Sequence, residues 1–584
     1  MASDRPSDKR HVTRRRFVKT GTGLALGAAV APGLLPTGAD ARSAGLRRPD
    51  VLPDPTRPAG EPTEALPFDH IVFVMMENHS FDNHLGMLSV RGQPLADGLA
   101  IGKNGLPTNS NPYNNGRITV ARNDSLCQPG NAGSQSWHDT HQQINHGRMD
   151  GFAATGVGSM IYWDEPDLPF YYSLAKTFTL ANRWFCSAPC QTYPNRRFLM
   201  AGTAFGLIST TLSSVTEYPP NGTIWDRLHA HGITWADYFT DVPTAALITD
   251  TVTKYPQNML PIADFYAACA TGTLPSVSMV DSDIGVIDQV PTPGGLVNVP
   301  FFPTVETHLN SLSQDEENPA DISLGENFVA RVVDAVLNSP SWPRILLVWL
   351  FDEHGGYYDH VPPAAAIPPD SIKPILTSSD DQPGLYNVYG PRVPAVVVSG
   401  YAKKNAVTNV VHDHTSILAT IEAKWNIPPM TFRDANAATL ADFLQATPSF
   451  PEPPELAKPS NFLKSQADCT TDDPAFKITK NASPHPHPKK AVLTVHYQGQ
   501  RKHSDDYVAT LRLSEGTLSD LTVELRDGHK ILARGLAKHV GTHTDNVLLK
   551  PTHGQIASGR YDLRVIDDKQ TIYNGRVKVN ERPL

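Results

Sequence analysis

Three continuous apolar runs stand out along the chain. His70–Met76 reads HIVFVMM and ends in Glu77-Asn78. Arg344–Phe351 reads RILLVWLF and ends in Asp352-Glu353, and Val393–Ser399 carries four successive residues AVVV. Such runs, without polar alternation, predict strands buried on both faces, as in a parallel sheet covered by helices. Asp321–Leu337 has helical spacing and stops just before the second run, which predicts an α/β sandwich. Pro194 suits the first turn of a helix, so Asn195–Gly202 is read as helical. After Ile427 the pattern weakens, and Pro451, Pro453, Pro454 and Pro459 mark a loop-rich connection. Pro484-His485-Pro486-His487-Pro488 fits either a metal tract or, better, an extended linker. Then the period changes to two. Ala491–Tyr497, Tyr507–Leu513, Leu521–Leu525, Arg560–Ile566 and Thr571–Val579 alternate between turn residues and predict an all-β sandwich.

A chain of 584 residues is too long for one core, so a large domain and a smaller one are expected. The formal net charge is -9, and about -13 without the first 41 residues. A balance this acidic excludes general nucleic-acid binding and gives no polybasic surface to hold anionic membranes, leaving at most transient membrane contact. The N-terminus has the sequence Thr13-Arg14-Arg15-Arg16-Phe17-Val18-Lys19, a short apolar stretch, and Ala39-Asp40-Ala41. These are the parts of a twin-arginine signal, which implies the twin-arginine translocase as a partner and a secreted or extracytoplasmic location. The expected layout is a signal at 1–41, a linker at 42–66, a catalytic domain at 67–450, a Pro-rich linker at 451–490 and a β module at 491–584. The cysteines are Cys127, Cys186, Cys190, Cys269 and Cys469. Cys186 and Cys190, four residues apart, are a candidate disulfide pair, though sequence alone does not assign pairing.

Candidate chemistry sits in three segments. Glu77-Asn78-His79-Ser80-Phe81-Asp82 and Asp352-Glu353-His354-Gly355-Gly356-Tyr357-Tyr358-Asp359-His360 each follow an apolar run directly. Ligands of open α/β sheets bind outside the carboxyl ends of strands. Glu77, Asn78, Asp352 and Glu353 supply hard oxygen donors suited to Ca²⁺, Mg²⁺ or Mn²⁺, and the nearby histidines admit Zn²⁺ or Fe. Either motif alone reads as well as helix caps and loop acids; two at equivalent strand ends favour a metal. In Thr192-Tyr193-Pro194-Asn195-Arg196 the Thr falls at a helix N-terminus, where N–H groups and the dipole favour phosphate. Thr192 is either an ordinary cap or a metal-activated nucleophile, and Arg196 a candidate phosphate contact.

The three segments in this order resemble the bacterial phospholipase C and acid phosphatase family. Met149-Asp150-Gly151-Phe152, Gly272-Thr273-Leu274-Pro275, Pro319-Ala320-Asp321-Ile322, Gly390-Pro391-Arg392-Val393-Pro394 and Asp413-His414-Thr415-Ser416 add to the match, which covers about 68–427. The resemblance implies an alkaline-phosphatase-like core and a divalent metal held by Glu77, Asn78, Asp352 and Glu353. Thr192 would be the nucleophile and also touch the metal, with His138 on the phosphate. His354 and His360 are further catalytic candidates and His414 a phosphate contact. The family's phosphate-contacting His falls here on Asn318, which donates a hydrogen bond but carries no charge. The implied activity is phospholipase C on phosphatidylcholine-type lipids. The alternatives are an acid phosphatase and an inactive surface-binding protein.

Overall fold

The computed structural model describes residues 45–579 apart from 130–131, 211–217, 249, 284–288, 293–294, 299–313, 317–320, 461–468, 470–492 and short stretches beyond 500. The signal segment and Asn318 lie outside the described residues. The chain divides into two compact units, Met1–Lys480 and Asn481–Leu584.

The first unit is built on an eight-stranded sheet. Its strands are β1 (His70–Met76), β2 (Thr179–Ala181), β3 (Trp235–Phe239), β4 (Met259–Pro261), β5 (Val277–Asp281), β6 (Ile345–Phe351), β7 (Ala395–Ser399) and β8 (Ala406–Thr408). Their order is β8-β2-β7-β6-β1-β5-β3-β4. β1 runs parallel to both β6 and β5, and β3 parallel to both β5 and β4. The expected mostly parallel α/β sheet is present. β7 departs from it by running antiparallel to both neighbours. All five of its residues are buried, so the apolar run reports burial on two faces and not strand direction.

Four helices that carry or border candidate residues are α1 (Phe81–Leu85), α2 (Thr192–Ala201), α3 (Ile322–Leu337) and α4 (Thr415–Trp425), and His138 lies on a further helix, Trp137–Ile144. The helix read at Asp321–Leu337 is α3, with the Asp321 carboxylate accepting from the Ser323 N–H at 2.9 Å as N-cap. Its buried stripe, from Ile322 through Val329 and Val333 to Leu337, joins the main core.

Both segments expected as linkers are tied to this unit where they are described. Asn426, which ends α4 at φ +49°, accepts from the Asp54 N–H and donates to the carbonyls of Asp54, Arg57 and Pro58. One amide thus satisfies an otherwise irregular strap. Downstream, the Ser460 N–H donates to Glu326 on α3, and Cys469 forms a disulfide with Cys127. The candidate pair Cys186 and Cys190 is not bonded: both are buried free thiols. The Asn195 side chain, donating to the Ala188 and Cys190 carbonyls, closes that turn in place of a disulfide.

The second unit is a seven-stranded antiparallel sheet. Its strands are β9 (Leu493–Gln500), β10 (Tyr507–Leu513), β11 (Leu518–Asp527), β12 (Lys530–Val540), β13 (Asp545–Pro551), β14 (Gly559–Asp567) and β15 (Gln570–Val579), ordered β9-β10-β13-β12-β11-β14-β15. The first and last strands also approach each other, so the all-β module curls around its own core of Tyr507, Leu511, Val523, Leu549 and Val565.

Candidate active site

Parallel register delivers the acids. Met76 lies opposite Phe351 at the carboxyl ends of β1 and β6, so Glu77 and Asp352 leave the sheet side by side. The Asp352 N–H bonds the Met76 carbonyl at 3.0 Å, and the Asn78 N–H donates to Asp352 Oδ1 at 3.1 Å. Asn78 takes φ +71° to do so, a left-handed conformation that Asn tolerates better than most residues. Gly355, at φ +63°, packs against this turn. A Cβ there would lie 1.9 Å from the Asn78 carbonyl oxygen, so the close approach admits only glycine.

Thr192 opens α2 and is 3% exposed. Gln191 precedes it in extended conformation, and no side chain caps the helix. The Thr192 hydroxyl donates to Glu77 Oε1 at 2.8 Å. One turn on, Arg196 places Nε 3.0 Å from Asp352 Oδ2, with Nη2 3.8 Å from Glu77 Oε2 and Nη1 donating to Thr244. The nucleophile candidate and the two acids are thus brought together by α2. Arg196, read from sequence as a phosphate contact, spends its charge on the carboxylates.

Electrostatics point to a cation. Asp352 and Glu353 are fully buried. Burial pushes the Asp352 carboxyl up to about 7, although the adjacent Arg196 pulls it down. Burial, then the charge of Asp352, pushes Glu353 well above the usual carboxylate range. Glu353 Oε2 accepts from the Gly355 N–H at 2.8 Å, but its Oε1 is buried with no hydrogen-bond partner. Arg196 pairs with Asp352 and Glu77 and, among the described residues, Glu353 has no cationic side chain of its own, and buried charge of that kind is costly unless paired or metal-bound. Glu77, Asn78, Asp352 and Glu353 therefore fit an oxygen-seeking divalent metal.

The histidines divide differently. His354 and His414 are fully buried, and burial lowers them to about 3 and about 4. His354 bonds Gln143 at 2.7 Å and lies 3.0 Å from Glu353; His414 donates to the Asp352 carbonyl at 2.6 Å. Both brace the Asp352–Glu353 segment. His360 instead pairs with Asp82 at 2.6 Å, in a network where Arg392 bridges Asp82 and Asp359. That guanidinium takes the place a cation would have among Asp82, Asp359 and His360. His138 is half-buried, with Nδ1 donating to the Asp380 carbonyl at 2.7 Å.

Sequence reasoning passed over Gln135, whose amide donates to Asn78 Oδ1 at 3.4 Å, and Gln143 behind His354. It also missed a buried knot of His79, His84 and Glu316. There His84 lies 2.8 Å and His79 3.6 Å from Glu316 Oε2, and Tyr171 donates to Oε1 at 2.6 Å. The two imidazoles stack at 3.9 Å with 25° between planes, and with Glu316 they place their ligand atoms within 4.8 Å of one another. Only the spacing of His79 and His84 hinted at it, and a distant Glu316 could not be paired with them from sequence.

A model of the Phosphoesterase family matches residues 68–428. Non-specific phospholipase C6 of Arabidopsis thaliana is 29% identical over 64% of this chain and 72% of its own length. Non-hemolytic phospholipase C of Pseudomonas aeruginosa is 27% identical over 78% and 67%. Phospholipase C B of Mycobacterium tuberculosis is 27% identical over 71% and 85%. A solved alkaline phosphatase superfamily protein from Vibrio parahaemolyticus aligns over 80% of this chain and 90% of its own at 10% identity, with a TM-score of 0.28.

Proposed function

The chain belongs to the phosphoesterase family and is a phosphoric ester hydrolase, and from that premise we propose that it is a metal-dependent phospholipase C acting on phosphatidylcholine-type lipids. The single observation that carries the mechanism is the Thr192 hydroxyl, 2.8 Å from Glu77 at the start of α2 and beside the buried Asp352 and Glu353. The similarity to phospholipases C from three organisms supports the lipid substrate.

A divalent metal held by Glu77, Asn78, Asp352 and Glu353 would make a neighbouring hydroxyl acidic and offset charge on phosphate oxygens. Glu77 orients Thr192 by accepting its hydroxyl hydrogen. The Thr192 oxygen attacks phosphorus, the bond to the glycerol oxygen breaks, and diacylglycerol leaves as an alkoxide that takes up a proton. The product on the enzyme is a threonyl phosphodiester that still bears the head group. Water cleaves it, restoring Thr192 and freeing the phosphorylated head group. The N-terminal peptide groups of α2 face the phosphate oxygens, with Asn318 as a further neutral donor. His138 is the proposed proton donor to the alkoxide, because His354 and His414 are buried against the metal-site acids.

Export by the twin-arginine route belongs to the same proposal. The Cys127–Cys469 disulfide supports it, since such bonds persist mainly in oxidising compartments. Among the described residues no helix is long and apolar enough to cross a membrane.

The test is to offer purified protein phosphatidylcholine and, separately, p-nitrophenyl phosphate. Diacylglycerol and phosphocholine from the lipid are expected, lost in Thr192→Ala by about 10⁴-fold. Turnover of p-nitrophenyl phosphate alone would move the assignment to an acid phosphatase, and unchanged turnover in Thr192→Ala would remove the covalent step.

A further inference from the structure

The net charge of the whole chain hides a basic surface on the second unit. The chain carries -9, yet residues 481–584 hold 16 Lys and Arg against 11 Asp and Glu. The expectation of no polybasic surface was drawn from the total, and this unit's own balance has the opposite sign. Alternation along β12 sends Arg534, Leu536 and Lys538 outward while Ala533 and Ala537 enter the core; along β13 it sends Asn546, Leu548 and Lys550 outward while Val547 and Leu549 enter the core.

Cross-strand pairing arranges the outward side chains in rows. Val508 on β10 lies opposite Leu548, and Thr522 on β11 lies between Leu536 and Ile566. An apolar row therefore crosses five strands as Val508, Leu548, Leu536, Thr522 and Ile566. Beside it Lys550 pairs with Arg534, which lies across Glu524 from Arg564. Glu524 is 2% exposed and bound by Arg534, so it is covered by the cations and does not present a negative face. Leu536 and Leu548 are 57% and 41% exposed, the most exposed large apolar residues of this unit among the described residues. They border a groove of about 400 Å³ lined also by Thr522, Arg534, Gly535 and Lys550. At Gly535 a Cβ would lie 2.3 Å from the Leu548 carbonyl oxygen.

We propose that this face docks the protein on phospholipid bilayers that contain anionic head groups. An apolar row bordered by a cation row repeats the order of a bilayer interface, where acyl chains lie beneath a layer of phosphates. The leucines enter the apolar boundary, and Lys550 and Arg564 lay their stems over it with their charges at the phosphates, while Arg534 neutralises Glu524 between them. The choice of ligand rests on the phospholipase reading; the docking itself needs no turnover.

Protein lacking residues 1–41, whose basic cluster would bind vesicles by itself, and carrying Thr192→Ala so that no lipid is consumed, is sedimented with vesicles. One set is phosphatidylcholine alone and the other phosphatidylcholine with phosphatidylglycerol. Binding to the anionic vesicles is expected, weakened by added salt. Lys550→Gln should weaken it about fivefold, and the double change Leu536→Ser, Leu548→Ser about tenfold or more. Lys550 is an exposed side chain, so its variant keeps the test informative should the double variant fold poorly. Absence of binding by the parent, or equal binding by parent and Lys550→Gln, overturns the proposal. A lipid-free dimer broken by the same substitutions would overturn it too, assigning the face to a second copy. Vesicle binding without lipid cleavage by the Thr192 protein would remove the phospholipase reading and leave docking intact. Cleavage of detergent-dispersed lipid without vesicle binding would do the reverse.

Discussion

Gly355 illustrates how much of this site depends on single backbone positions. Its φ of +63° and the 1.9 Å approach to the Asn78 carbonyl mean that Gly355→Ala must displace the Asn78 turn and Asp352 with it. Lipid turnover should drop about 100-fold or more, with far-ultraviolet circular dichroism unchanged; normal turnover would show the turn to be tolerant. His360 gives a pH signature. Burial lowers its pKa, but the Asp82 charge and hydrogen bond outweigh this and raise it to about 9. A folded pKa above the unfolded value means stabilisation is full below about pH 6.5 and lost as pH rises through about 9. Loss on the order of 2–3 kcal/mol is expected across that window, read by denaturant midpoints, and His360→Gln should flatten the slope. Glu77 and Asp352 were legible because each ends an apolar run, where a charge needs a reason. The partner of Arg196 was not, since nothing in Thr-Tyr-Pro-Asn-Arg shows that the guanidinium turns to Asp352 and not to solvent.

The elements that position the site were legible where one period held. β1, β6 and α3 lie within a residue or two of their expected spans. β7 was legible as a buried strand but not as an antiparallel one, because burial on two faces leaves the same sequence in either direction. β12 and β13 were passed over: Lys530–Val540 carries Gly535 and two alanines, which weaken the strand signal, and its apolar face shows only once Leu548 and Thr522 pair beside it. Long-range covalent pairing is equally invisible locally. Cys127 and Cys469 lie 342 residues apart, whereas Cys186 and Cys190 are near in sequence and still free. Replacing both Cys127 and Cys469 by Ser should lower stability of the first unit by about 2–5 kcal/mol, read as a fall in Tm that a reductant reproduces in the parent protein.

At the scale of the whole molecule, an acidic catalytic unit and a basic β unit share one chain, and their chemistry separates accordingly. Buried Asp352 and Glu353 make the first unit the one expected to respond to a cation. Chelation should lower its unfolding temperature, because ligand bound only to the native state stabilises by mass action, while the β unit unfolds as before. The most direct check on the whole scheme is phosphocholine release from phosphatidylcholine by protein stripped of metal and then resupplied. Turnover should vanish in the stripped protein and return with a divalent ion, and Glu353→Gln should need much more of that ion for the same rate. Full turnover by protein shown to be free of metal would mean that Glu77, Asn78, Asp352 and Glu353 do not form the catalytic metal site.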